Sequence, residues 1–210
     1  MTGVQTCALP ISQDARGHWY VNLACEVARI ENKHQIEEVG IDLGLKTSAV
    51  LSDGSVIENQ AEFKKLEEKL GKAQRAKKKK QTKKIHAKIK NKRRDYLHKK
   101  TTQIAKKYHT IFIGDVSGKF VQSGNGKSST DASIGVIRDL LKYKAMRHSG
   151  NCYEVSENSS TITCSACHKK TGPSGLSGLG IREWTCSECH AHHDRDINAA
   201  KNILRFGRES

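Results

Sequence analysis

A chain of 210 residues is one domain of ordinary size, with room for a small inserted module. Its hydrophobic share of 36% suffices for a buried core, which excludes wholesale disorder, and no run of about 18 apolar residues exists to span a membrane. With 37 Lys and Arg against 22 Asp and Glu, the net charge is +15 and the pI near 9.6, so the expected partner is a polyanion, nucleic acid first.

The run Met1–Ser12 (MTGVQTCALPIS) resembles a translated sequencing adapter. Residues 1–13 are therefore set aside as an artefact, Cys7 carries no weight, and the chain reads as a fragment whose true N-terminus is missing. No signal peptide is expected, because the first basic residue is Arg16 and Pro10 breaks the apolar stretch Ala8–Ile11. His18–Val27 alternates as a strand does and reads as the tail of a preceding β-domain, residues 14–38. Val39–Val50 (VGIDLGLKTSAV) reads as one apolar strand with an acid, Asp42, inside it. Asp53-Gly54 signals a turn and Val56-Ile57 a further short strand, so the domain starts antiparallel.

From Phe63 the period lengthens. Phe63, Leu66, Leu70 and Ala73 form one helical stripe, Lys77–Lys80 interrupts it, and Ile85, Ile89, Tyr96 and Ile104 resume it on a second helix. Between Lys64 and Lys107 stand 20 of the 37 basic residues against three acids, Glu67, Glu68 and Asp95. Charge so nearly of one sign calls for a counter-charge, and a nucleic-acid backbone supplies it; the alternative is a solvated face. Lys77, Lys78, Lys79, Lys80, Lys83, Lys84, Arg93 and Arg94 are the candidate contacts of this helical pair, residues 63–107. Beyond it, Thr110–Val116 reads as a buried strand and Ser117–Ser129 as a Gly/Ser/Lys-rich loop. Asp131–His148 reads as a helix that Asp131 caps or precedes, Cys152–Glu157 as a short strand, and Asp196–Phe206 as a terminal helix.

Seven cysteines are an odd number, which argues against a complete disulfide framework, and the paired spacing points to a reducing compartment and a metal. Cys164-Ser-Ala-Cys167 is followed after 18 residues by Cys186-Ser-Glu-Cys189. Two such knuckles place four thiolates at the corners of a tetrahedron, which suits a structural Zn²⁺ in a ribbon with a small hairpin around Ile181–Thr185; a redox dithiol or disulfides are the alternatives. His168 and His190 lie beside the knuckles, outside a coordination sphere already full. A second signal is a set of separated acids. Asp42 inside an apolar strand is costly unless it binds a cation or a proton. Asp194 and Asp196 open the last helix, where Asp196 as an N-cap is the plain explanation. Carboxylates converging on Mg²⁺ can activate water and stabilise the leaving oxygen of a phosphodiester.

Strands, a helical segment, strand, helix, strand and terminal helix is the order of an α/β RNase H-like domain. The chain resembles the C-terminal nuclease half of TnpB/OrfB-type proteins, transposon-encoded RNA-guided nucleases related to type V CRISPR effectors. The matching residues are GIDLGLKTSAVLSDG (Gly40–Gly54), RDYLHKK (Arg94–Lys100), IFIGDV (Ile111–Val116), TITCSACH (Thr161–His168) and WTCSECHAHHDRDINAAKNIL (Trp184–Leu204). The resemblance implies a RuvC-like mixed sheet flanked by helices over residues 39–160, an inserted zinc ribbon at 161–191, the last RuvC helix at 192–206 and a tail at 207–210. It also implies a cytoplasmic, nucleoid-associated prokaryotic protein with DNA as partner, and guide RNA in the full-length form. Asp42 matches the family's first catalytic acid and Asp196 the third, with Asp194 a lesser neighbour. The family's middle glutamate falls on Gly114, and Asp115 matches the acid that follows it. Either the copy is a nuclease-dead, repressor-like nucleic-acid binder, or another acid has moved in; Glu157 is the candidate, ahead of Glu154.

Overall fold

A computed structural model of the chain describes residues 10–14, 16–23, 26–115, 133–178 and 180–210. The centre is a five-stranded mixed sheet of β3 (Ile36–Leu43), β4 (Thr47–Leu51), β5 (Val56–Glu58), β6 (Tyr108–Gly114) and β7 (Asn151–Val155), in the order β5-β4-β3-β6-β7. β3, β4 and β5 pair antiparallel, whereas β3–β6 and β6–β7 are parallel. Before them β1 (Ile11–Gln13) and β2 (Trp19–Val21) form a separate hairpin, exposed throughout. Ile11–Gln13, set aside in the sequence, is thus paired, but it adds nothing to the core.

Val39–Val50 is not one strand. Gly44, Leu45 and Lys46 turn the chain, and Asp42 pairs with Val50 across the resulting hairpin. The apolar run hid the turn because both arms are buried in the sheet and so carry no polar alternation at their junction.

Side chains alternate across the pleat. On one face Val39, Ile41, Ile111 and Ile113 pack against α2 (Lys79–Lys107) and a helix α3 (Ile134–Arg147), through Leu97, Ile104, Ile137 and Leu141. Each fully buried side chain of this kind stabilises the fold by about 1.5–3 kcal/mol. Before α2, α1 (Glu62–Arg75) packs back along it and ends short of a corner where Lys77 takes the left-handed conformation at φ 51°. Lys77 and Lys78 are therefore the corner and Lys79 and Lys80 the first turn of α2, all four exposed. Ser117–Ser129 and Asp131 lie outside the described residues.

The other face carries Gly40, Asp42, Phe112 and Gly114, and is covered by α5 (Arg195–Glu209) through Ile203, Leu204 and Phe206. Gly40 permits this close crossing, since a Cβ there would stand 2.1 Å from the Ala200 carbonyl oxygen. The helix thus crosses β3 two residues from Asp42. It starts at Arg195 and runs to Glu209, so residues 192–194 and the expected tail belong to other elements than the sequence implied. His192–Asp194 is β9, which pairs with β8 (Glu183–Thr185) as the hairpin of the cysteine-bearing insertion; a single-turn α4 (Gly175–Gly178) precedes it. Among the described residues, no helix is long and apolar enough to cross a membrane.

Candidate active site and metal centre

Each CxxC pair closes the same way. The His168 N–H donates to the Cys164 carbonyl at 2.9 Å and the His190 N–H to the Cys186 carbonyl at 3.0 Å. Both histidines sit in the left-handed region, φ 64° and 58°, so their place beside the knuckles is a backbone role. Sulfurs of Cys164 and Cys189 stand 3.6 Å apart, as do those of Cys167 and Cys186, and all four lie within 4.8 Å of one another. A tetrahedron with metal–sulfur bonds of about 2.3 Å has edges of about 3.8 Å, so the four thiolates fit Zn²⁺. The Thr171 hydroxyl, 3.1 Å from the Cys186 sulfur, lowers that thiol, whereas burial and the neighbouring sulfurs raise Cys167 and Cys189. Sequence reasoning missed His193. Its Nε2 lies 3.0 Å from the Cys164 sulfur and its ring packs on Trp184 at 4.7 Å. The available signal was its position, the inward one of a three-residue strand.

The acids divide. Asp42, Glu157 and Asp196 line one cavity of about 440 Å³ together with Lys46, Arg182 and Arg195. Asp42 projects from β3 on the α5 face. Glu157 stands two residues past Val155, the end of β7, and so returns to that same face. Its carboxylate fills the space of the missing side chain: a Cβ on Gly114 would lie 2.8 Å from Glu157 Oε2. Asp115 holds the turn, accepting the Glu157 N–H at 2.9 Å. Asp194 is not a further acid of the cavity and Asp196 is not the cap. Asp194 is the N-cap of α5, accepting from the N–H groups of Asp196 at 3.0 Å and Ile197 at 2.9 Å, which frees Asp196 to face the cavity. Glu154 is committed elsewhere, paired with Lys142 at 2.8 Å and Arg138 at 3.2 Å.

Desolvation, with the charges of Glu157 and Asp196 added, pushes the Asp42 carboxyl up to about 8, against which Arg195 acts. Burial and Asp115 raise Glu157 as well. Hard oxygen donors that repel one another in one pocket are the donor set a divalent cation such as Mg²⁺ neutralises. The carboxylates are spread wider than the thiolates: the cysteine cluster is the one such group gathered within 4.8 Å among the described residues. Arg182, which the sequence did not single out, reaches from the ribbon to place Nη1 3.2 Å from each Asp196 oxygen.

The basic candidates form a separate surface. Lys83 and Arg94 line a cavity of about 680 Å³ between α2 and the β1–β2 hairpin, with His86, Lys90 and Asn91. Lys77–Lys80 and Lys84 are exposed beyond it, and Arg93 borders a different cavity against α3.

Residues 22–119 match the OrfB_IS605 family model, described as "Probable transposase", and residues 135–203 match the model described as Cas12f1-like, TNB domain. The chain is 33% identical to a "Putative RNA-guided DNA endonuclease" of Streptomyces pristinaespiralis, over 98% of this chain and 54% of the relative. It is 30% identical to "Putative RNA-guided DNA endonuclease InsQ" of Escherichia coli K12, over 91% and 54%. The chain therefore spans about half the length of the curated relatives it matches. Among solved structures, a chain of a Cas12f1–sgRNA–target DNA complex superposes with a TM-score of 0.59 at 18% identity, covering 92% of this chain and 55% of that one, a likeness of fold. With its RuvC-like sheet and four-cysteine TNB module, the chain belongs to the TnpB/OrfB family.

Proposed function

We propose that the chain is the nuclease portion of an RNA-guided DNA endonuclease, hydrolysing phosphodiesters in the cavity of Asp42, Glu157 and Asp196. The observation that carries this reading is the convergence of Asp42, Glu157 and Asp196 on one cavity, with the Glu157 carboxylate in the space a side chain at Gly114 would take; enclosure and the two neighbouring carboxylates raise Asp42 accordingly. A protein keeps carboxylates crowded in this way where a cation or a reacting proton relieves their mutual repulsion. Asp42, Glu157 and Asp196 would hold Mg²⁺, which when bound supplies the positive charge that activates water and stabilises a departing oxygen. Glu157 stands in for the side chain Gly114 lacks. Arg182 and Arg195 give the cavity wall the positive charge that draws in a phosphate, and DNA and guide RNA would track the α1–α2 basic surface through phosphate contacts.

A second reading is favoured by Gly114 and by the Arg182 pairing of Asp196: a nuclease-dead nucleic-acid-binding protein. Mg²⁺-dependent cleavage of labelled single- and double-stranded DNA, in the chain completed to the length of its relatives and supplied with guide RNA, separates the two. The endonuclease reading expects cleavage that Asp42→Asn, Glu157→Gln and Asp196→Asn each abolish with binding intact. Binding without cleavage, and cleavage appearing in Gly114→Glu with Glu157→Ala, would establish the second.

A further inference from the structure

Asn198 and Asn202 stand one turn apart on α5, 1% and 0% exposed, and line neither the acid cavity nor the thiolate site. Both reach the segment that joins those two places. The Asn202 Nδ2 donates to the carbonyls of Thr163 at 2.6 Å and Ser160 at 2.8 Å. The Asn198 Nδ2 donates to the same two at 2.8 and 3.3 Å, while its Oδ1 accepts the Ser165 N–H at 2.8 Å. Thr163 and Ser165 flank the zinc-site Cys164. At the other end of the segment the Ser160 N–H donates to the Glu157 carbonyl at 2.9 Å, closing the turn that carries the middle acid.

Holding the helix down does not require these amides. Ala199, Ala200 and Ile203 are fully buried, and Ala200 meets the sheet at Gly40. Two buried asparagines are a costly way to fill that face, the more so because the Asn202 Oδ1 has no hydrogen-bond partner. What they add over an apolar pair is registry: directional bonds that fix one backbone segment against a helix. Asp196 lies two residues before Asn198 on that helix.

We infer that Asn198 and Asn202 are positioning residues that lock the Glu157 turn and the first cysteine knuckle to the helix bearing Asp196, so that filling the thiolate site sets the spacing of the two acids. The functional weight of that spacing rests on the reading of Glu157 and Asp196 as metal-holding acids. The lock itself does not.

The test uses the 210-residue chain, zinc-loaded or stripped by chelator and dialysed, read by amide hydrogen exchange and by calorimetric titration with Mn²⁺. Stripping zinc should speed exchange at residues 157–160 and in the first turn of α5 by about tenfold or more, with β3 and β6 unchanged. Zinc-bound Asn202→Ala and Asn198→Ala should already exchange fast at 157–160, and stripping should add less than about twofold. Mn²⁺ affinity, defined by its loss in Asp42→Asn, should fall about tenfold on stripping or in either variant, and no further when both are combined. Unchanged protection at 157–160 after zinc removal overturns the lock, as does unchanged protection in both variants. Coupled exchange in a parent chain that binds no Mn²⁺ upholds the lock and refutes the acids. If the variants lose protection in β3 through misfolding, stripping the unaltered chain decides alone.

Discussion

Replacing Asp42 by asparagine should stabilise the protein at neutral pH in the absence of divalent cations. The carboxyl is raised from 3.8 to about 8, so the folded state holds its proton more tightly than the unfolded chain does. Its contribution is therefore most favourable below the usual carboxylate range and declines as pH rises from about 4 toward about 8. At about 1.4 kcal/mol per pH unit, the ceiling on the cost is about 2 kcal/mol at pH 5 and about 4 kcal/mol at pH 7. The cavity opens to solvent, which screens the repulsion, so roughly half of each figure is the expected size. Urea unfolding of parent and Asp42→Asn at pH 5 and pH 7, both zinc-loaded, gives the difference directly, and the subtraction cancels titrations the two share. The gap should widen with pH, and millimolar Mg²⁺ should close it by stabilising the parent alone. An asparagine variant less stable than the parent at pH 7, or a gap that does not grow with pH, would show that the Asp42 carboxylate carries no net cost of burial and repulsion.

Elemental analysis should find one zinc per chain, lost in Cys167→Ser and Cys186→Ser with increased protease sensitivity across residues 160–194. Neutralising Lys77–Lys80 should weaken DNA binding similarly for all sequences and reduce the log–log salt slope by up to about 3 to 4, measured by fluorescence anisotropy. A slope left unchanged would make the corner a solvated face. Gly114→Ala should cost about 1 kcal/mol, the low end for overpacking, since its Cβ meets Glu157 Oε2 at 2.8 Å and Ile203 Cδ1 at 3.0 Å, both ends of side chains that can give way. Adding Glu157→Ala should recover about 1 kcal/mol in a double-mutant cycle of unfolding free energies.

Local chemistry was legible in the sequence. The two CxxC pairs announce their tetrahedron because each knuckle is closed by its own backbone, as the His168 and His190 amides show. The basic helical pair was legible by period and sign. What escaped depends on contacts across the chain. Arg182 reaches Asp196 only because the β8–β9 hairpin folds the ribbon over the start of α5. Asn198 and Asn202 read as ordinary helix residues until residues 160–165 are laid against them. The Gly44 turn was masked by burial on both sides, and the choice between Asp194 and Asp196 as cap turned on a two-residue shift of the helix boundary, the least determined feature of any helix.

On the proposed reading Glu157 completes a cation site with Asp42 and Asp196 in place of a side chain at Gly114. Crystals of the zinc-loaded chain soaked in Mn²⁺, measured at the manganese edge, locate the ion without reference to activity. The expected result is an anomalous peak in the acid cavity ligated by oxygens of Asp42, Glu157 and Asp196, with Arg182 displaced from Asp196. A peak whose ligands exclude Glu157, or no peak in the cavity at all, would contradict it.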